Sequence, residues 1–188
     1  MKKCIIFSAP SGAGKTTIVH ALLKNQNLKL KFSVSACSRD PRPNEVDGKD
    51  YHFLGLEGFK QMIEEDAFVE WEEVYTDNYY GTLRAQIEEI WRNGNFVVFD
   101  VDVIGGLNLK RIFGKDALSV FVQPPSIDEL EKRLRHRSTE TEEKIQQRMS
   151  KARIELEKAS EFDVVIVNDN LEEAIDTATD IVSKFLKN

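Results

Sequence analysis

Cysteine is scarce in this chain: among 188 residues only Cys4 and Cys37 carry thiols. They form no Cys-x-x-Cys and stand in no Cys/His spacing, which excludes a disulfide-dense scaffold and a zinc site and fits a reduced, cytoplasmic setting. Cys4 lies within a strand-like run and reads as core. Histidine is as sparse, and His52 and His136 carry no partner pattern. No run of about 18 or more apolar residues is present to span a bilayer. Met1-Lys2-Lys3 leads into only a short apolar stretch, so neither secretion nor a membrane partner is expected. Positive charge is in deficit: 26 Lys and Arg face 32 Asp and Glu, a formal charge of −6. Non-specific nucleic-acid binding draws on surplus Lys and Arg, so it is excluded as a general function, and any basic site must be local. Repeats and low-complexity segments are also missing. What remains is the length of one domain, with 41% apolar residues, enough for one good core. Nothing in the sequence addresses the oligomeric state.

Cys4 to Ser8 is a continuous apolar run of the kind expected for a strand covered on both faces of a parallel sheet. Glycines follow at once, and then Thr16 to Lys24 places Ile18, Val19, Ala21, Leu22 and Leu23 at helical spacing. Further strands are predicted over Phe96 to Phe99, ending on Asp100, over Leu118 to Val122 and over Val164 to Val167. Helices fill the intervals. Ser126 with Glu129 makes a capping box opening a helix to about Arg137, and Asn170 with Glu173 opens the last helix in the same way. Strands alternating with helices imply a parallel α/β core. Between about Ser35 and Arg84 the rhythm breaks into short β-like pieces with one helix near Glu57 to Glu65, which reads as an inserted, mostly β flap. The stretch from Arg135 to Lys158 is highly charged and reads as a helical hairpin.

Ala9-Pro10-Ser11-Gly12-Ala13-Gly14-Lys15-Thr16-Thr17 joins the first strand to the first helix, where a phosphate-binding loop belongs. Glycines let successive N–H groups turn inward onto phosphate oxygens, and the helix N-terminus adds its positive end. Ser11, Gly12, Ala13, Gly14, Lys15, Thr16 and Thr17 are the candidate contacts. Lys15 would reach the β and γ phosphates, and the Thr16 hydroxyl would hold Mg²⁺. The strict pattern has Gly where this chain has Ala9. Asp100 follows the second strand and is a possible second metal ligand. Asp102, two residues on, is a ligand candidate or the cap of the next helix.

A phosphate loop says only that a nucleotide binds, so the flap must supply the acceptor. Arg39 and Arg42 stand three apart in a segment held open by Pro41 and Pro43, and arginine's planar fork suits a phosphate dianion. Tyr51 and Tyr80 can add phenolic donors. Glu70 is a carboxylate inside an otherwise apolar strand; a ligand with paired donors, such as the N1–H and 2-amino group of guanine, would offset the cost of burying it.

Ser8 to Thr17, Ser35 to Arg42, Gly48 to Tyr51, Asn78 to Gly81 and Asp100-Val101-Asp102, taken with Thr139 to Glu143 and Val167-Asn168-Asp169, together resemble guanylate kinases of the bacterial type. The resemblance covers essentially the whole chain. It implies an α/β fold: a P-loop parallel sheet flanked by helices, with a mostly β GMP-binding flap and a short helical lid. The core would span about 1–34, 85–134 and 149–188, the insertion about 35–84 and the lid about 135–148. It further implies transfer of the terminal phosphoryl group of ATP to GMP, in purine nucleotide metabolism, with Mg²⁺ as cofactor. On the family pattern Arg39, Arg42, Tyr51 and Tyr80 would hold the GMP phosphate, Glu70 with Ser35 and Thr82 would read guanine, and Asp100 would sit against the nucleotide or its metal. Arg133, Arg137 and Arg148 match the lid arginines that face the ATP phosphates, and Lys15 completes the catalytic set. The chain departs from the family at His136-Arg137-Ser138, where Gly-Arg-Gly is usual, which predicts a stiffer lid hinge. It also departs at Ile104 and at Cys37-Ser38-Arg39. Two alternatives remain open: a non-catalytic guanylate-kinase-like interaction module, and a same-fold kinase for another phosphate acceptor.

Overall fold

The computed structural model describes residues 2–137 and 141–187, the side chains of Tyr75 and Arg137 excepted. Its centre is a five-stranded parallel sheet formed by β1 (Cys4–Ser8), β2 (Leu30–Phe32), β7 (Phe96–Val101), β8 (Ala117–Gln123) and β9 (Val164–Val167). The strand order is β2-β7-β1-β8-β9, with β1 between β7 and β8 in parallel register. The unbroken apolar run of β1 has its reason here. Ile5 and Phe7 face one layer, built with α1 (Lys15–Lys24) and α7 (Leu171–Lys187); Cys4 and Ile6 face the other, with α3 (Arg84–Arg92) and α4 (Val103–Phe113). Alternation along a strand sends neighbours to opposite faces, and both faces are dry.

One close approach fixes α4. A Cβ on Gly106 would lie 2.1 Å from Ser8 Oγ, so only a glycine lets this helix rest on β1 there. The serine hydroxyl itself donates to the Asp102 carbonyl, 2.9 Å away.

The inserted segment forms its own four-stranded sheet in the order β4-β3-β6-β5 from β3 (Ala36–Cys37), β4 (His52–Phe53), β5 (Phe68–Tyr75) and β6 (Asn78–Leu83). Its helix α2 (Gly55–Glu64) packs Phe59 against Phe68, rings 4.4 Å apart, and joins Ala36 in a small separate core. Beyond β8, α5 (Ile127–Arg137) and α6 (Glu142–Glu157) pair through Leu130, Leu134, Ile145, Met149 and Ala152. The charged stretch therefore carries an apolar seam as well as a solvated face.

The types of the foreseen elements agree with the sequence reading; some boundaries move, and one strand is new. β7 continues through Val101, so Asp100 lies within the strand instead of ending it. The first helix begins at Lys15, one residue early, because Gly14 takes the left-handed cap position at φ 95°. β2 was not foreseen: three residues are too few to show a period, and pairing with β7 creates the strand.

Candidate active site

The phosphate loop spans the gap between β1 and α1. No side chain caps the N-terminus of α1, so its leading N–H groups stay open toward an anion. Gly14 is required twice over: its φ of 95° disfavours any other residue, and a Cβ would lie 2.2 Å from Asn168 Nδ2. That buried amide donates to the Ala13 carbonyl at 2.8 Å and so pins the loop from the end of β9. Asn168 entered the sequence reading only through the family resemblance, and nothing local predicted this clamp.

Asp100 ties β7 to the loop. Its Oδ1 lies 2.6 Å from Lys15 Nζ, and its Oδ2 accepts from Thr16 Oγ1 at 2.9 Å. Lys15 also donates to the Val101 carbonyl. Parallel pairing of Phe7 with Asp100 places the carboxylate beside the loop. A hydroxyl and a carboxylate oxygen in contact are the hard donors that Mg²⁺ selects, so Thr16 and Asp100 fit such an ion. Asp102 behaves as a helix cap, with Oδ1 accepting from Gly105 N at 2.8 Å, and the residue also lines the cavity between core and insertion.

One cavity of about 480 Å³ brings the two halves together. It is lined by Ser11, Gly12, Gly14, Lys15, Thr16 and Asp100 from the core, and by Ser35, Arg39, Arg42, Tyr51, Glu70 and Tyr80 from the insertion. Arg148 also lines it, donating from Nη1 to Ser11 Oγ at 2.8 Å. α6 holds Arg148 there by burying Ile145, Met149 and Ala152.

Arg39 is the most constrained of the cations. Its Nη atoms donate to both oxygens of Glu45 at 2.7 and 2.8 Å and to the Asp40 carbonyl, while Nε donates to the Tyr80 hydroxyl at 3.1 Å. The guanidinium also lies 5.1 Å from the Tyr51 ring centroid. The Arg39 bonds hold the Glu45 carboxyl down to about 2, and burial pushes the Tyr51 hydroxyl up. Glu45 was not anticipated; a carboxylate in an exposed loop gives no signal until the fold brings it against the fork.

Glu70 on β5 faces Thr82 on β6, whose Oγ1 donates to Glu70 Oε1 at 2.7 Å. Burial pushes the Glu70 carboxyl up to about 7 against the pull of that hydrogen bond, and the charges of Asp102 and Glu72 add to the rise. Thr82 is itself buried and acts on the cavity through Glu70.

Three more expected residues stand apart from the cavity. Ala13 is buried beneath the loop, and Thr17 is exposed on the first turn of α1 away from the cavity. Arg133 pairs with Glu129 at 3.1 Å and donates to the Asn168 carbonyl, lining a second hollow with Gly12, Gly14 and Lys132 on the loop's other side. Arg137 belongs to α5, but its side chain lies outside the described residues, as do Ser138, Thr139 and Glu140.

Comparison with known proteins agrees with this geometry. The family described as guanylate kinase matches residues 1–185. A guanylate kinase of Bacteroides fragilis is 54% identical over 184 residues, covering 98% of this chain and 90% of the relative. One from Porphyromonas gingivalis is 46% identical and covers 99% of both chains. The crystal structure of guanylate kinase from Anaplasma phagocytophilum matches with a TM-score of 0.77 at 27% identity, covering 97% of this chain and 85% of that one. With a glycine-rich loop and an insertion carrying Arg39 and Arg42 opening on one cavity, and relatives matched over most of their length, the chain belongs to the guanylate kinase family.

Proposed function

We propose that the chain is an ATP:GMP phosphotransferase, converting ATP and GMP to ADP and GDP, and that the shared cavity is its active site. The observation that carries this reading is that cavity's lining: Lys15 and the loop on one wall, Arg39, Arg42, Tyr80 and Glu70 on the other. ATP would lie on Ser11 to Thr17. The GMP phosphate would lie on Arg39, Arg42, Tyr51 and Tyr80, with guanine against Glu70 and Ser35 and with Thr82 orienting Glu70 from behind. An ionised glutamate offers only acceptors, which match the N1–H and 2-amino donors of guanine.

In the reaction an acceptor phosphate oxygen bonds to the γ-phosphorus while the bond to the β–γ bridging oxygen breaks, and ADP leaves with the electron pair. No general base is needed, because the acceptor phosphate is largely ionised near pH 7. Positioning and charge stabilisation supply most of such catalysis. Lys15 and Arg148 would offset the charge of the migrating group, joined by Arg133 and Arg137 when the site closes. Thr16 and Asp100 would hold Mg²⁺, which supplies further neutralisation of the phosphates. The insertion at about 35–84 would serve as the GMP-binding flap and about 135–148 as the lid, on a core of about 1–34, 85–134 and 149–188. Among the described residues no helix is long and apolar enough to cross a membrane, and a cytoplasmic role in purine nucleotide metabolism is the setting we favour. The intact Gly14, Lys15 and Thr16 weigh against a non-catalytic module.

A coupled assay of ADP release with GMP, AMP, UMP and TMP as acceptors tests the reading. Turnover is expected with GMP, and faster turnover with any other acceptor would overturn it.

A further inference from the structure

Lys151 takes no part in the site described so far, yet it lines the same cavity. It lies on α6 three residues beyond Arg148, so the two cations share a helix face. Its ammonium stands 4.0 Å from Asp102 Oδ2 and 3.7 Å from Glu155 Oε1. Both separations exceed the 2.7 to 3.2 Å or so of an N–H···O hydrogen bond, so Lys151 is held by charge and not by directed bonds. Its side chain is 49% exposed, whereas that of Glu155 is 11% exposed. Glu72 reaches the same spot from the insertion, and Lys15 acts on Glu155 from the loop. Three carboxylates from core, insertion and α6 therefore meet at this edge of an anion-binding cavity. Uncompensated, they would repel incoming phosphates.

Lys15 and Arg39, by contrast, sit in close pairs at 2.6 and 2.7 Å. A half-exposed ammonium on a flexible four-carbon stem is released from its partners at less cost than either of these. We propose that Lys151 is a further catalytic residue of this chain, one that leaves Asp102 and Glu155 to contact the non-bridging phosphate oxygens during transfer, beside Lys15 and Arg148. It takes up no proton; it stabilises the charge that develops while the acceptor oxygen–phosphorus bond forms and the bond to ADP breaks. The proposal rests on the phosphotransfer reading above.

Three variants test it: Lys151→Met, Lys151→Arg, and Lys151→Met combined with Glu155→Gln. Steady-state kinetics give turnover, and calorimetry gives the affinity for a bisubstrate analogue in which adenosine and guanosine are joined through phosphates. Lys151→Met should lower kcat by about tenfold or more and weaken the analogue by a similar factor, with the KM for GMP within about twofold of wild type. Arginine should restore much of both. The double variant separates direct contact from mere neutralisation of Glu155. A loss that persists supports contact with phosphate, and wild-type turnover in the double variant overturns it. Unchanged kcat and analogue affinity in Lys151→Met would overturn it too. Wild-type turnover with GMP tests the phosphotransfer reading separately, and the analogue reads Lys151 whatever that result.

Discussion

Glu70 shows how much one residue's surroundings add to its identity. A carboxyl that titrates at about 7 in the free protein is mostly protonated a unit below and mostly ionised a unit above. Only the ionised form accepts both guanine donors, so kcat/KM for GMP should fall as pH drops through about 7. The acceptor phosphate adds its own limb near about pH 6. Glu70→Gln should remove the upper limb and leave the lower, cut kcat/KM for GMP above pH 7 by at least about tenfold, and narrow the preference over AMP. Wild-type kinetics and an unchanged profile in the variant would make Glu70 structural. Stability carries the opposite sign to that of a salt-bridged carboxylate. The native value of about 7 lies above the reference of 4.5, so this group's stabilisation is complete below 4.5 and is lost as pH rises through about 7. The Tm of Glu70→Gln relative to wild type should therefore be higher at pH 8 than at pH 4.5, as calorimetric scans can measure. Glu70 was legible in the sequence as a carboxylate among Phe68, Val69 and Trp71, although β5 proves to carry Glu72 and Glu73 as well. Glu45, which claims the Arg39 fork, was not, because its loop has no period and its partner is set by the fold.

Elements are held at distances that the sequence only hints at. The contact of α4 with β1 depends on Gly106, where a Cβ would meet Ser8 Oγ at 2.1 Å and Ser8 Cβ at 3.3 Å. Gly106→Ala should cost roughly 1–3 kcal/mol by overpacking. Ser8→Ala alone removes the bond to the Asp102 carbonyl and should cost about 1 kcal/mol. Together the two should be clearly less destabilising than their sum, since the second removes the atom that the first collides with. Urea midpoints of the four proteins give the coupling, and strict additivity would refute this view of the contact. Local signals did place the ends of other helices: Ser126 Oγ accepts from Glu129 N at 3.0 Å, and Asn170 Oδ1 from Glu172 N at 2.9 Å. Such caps are readable because donor and acceptor lie within four residues.

For the molecule as a whole, the balance of charge in the cavity points to closure. Lys15 is engaged by Asp100, and Arg39 by Glu45, so these cations are satisfied internally before any substrate arrives. Two polyanionic substrates need partners from both walls at once, which favours drawing the insertion toward the core. A bisubstrate analogue should therefore reduce the radius of gyration in small-angle scattering, while ATP or GMP alone does so less. An unchanged radius, with the free protein first established to be open, would count against a moving insertion.

By itself the sequence determined the strand, glycine-rich loop and helix at its start, the parallel α/β class and the β-rich insertion, and it singled out Lys15, Thr16 and Glu70 as candidates for the chemistry. Those signals are local: a buried run, a glycine-lysine spacing, a charge where apolar residues are expected. Only the tertiary structure decided that Asp100 serves Lys15 and Thr16 at once, that Arg148 reaches Ser11 while Arg133 turns to Asn168, and that Lys151 faces the cavity. The physical reason is that a charged side chain carries the same signal on a solvated face as in a site. Its partner is chosen by packing between segments far apart in sequence, here the buried seam of α5 and α6 that carries Arg148 to the loop.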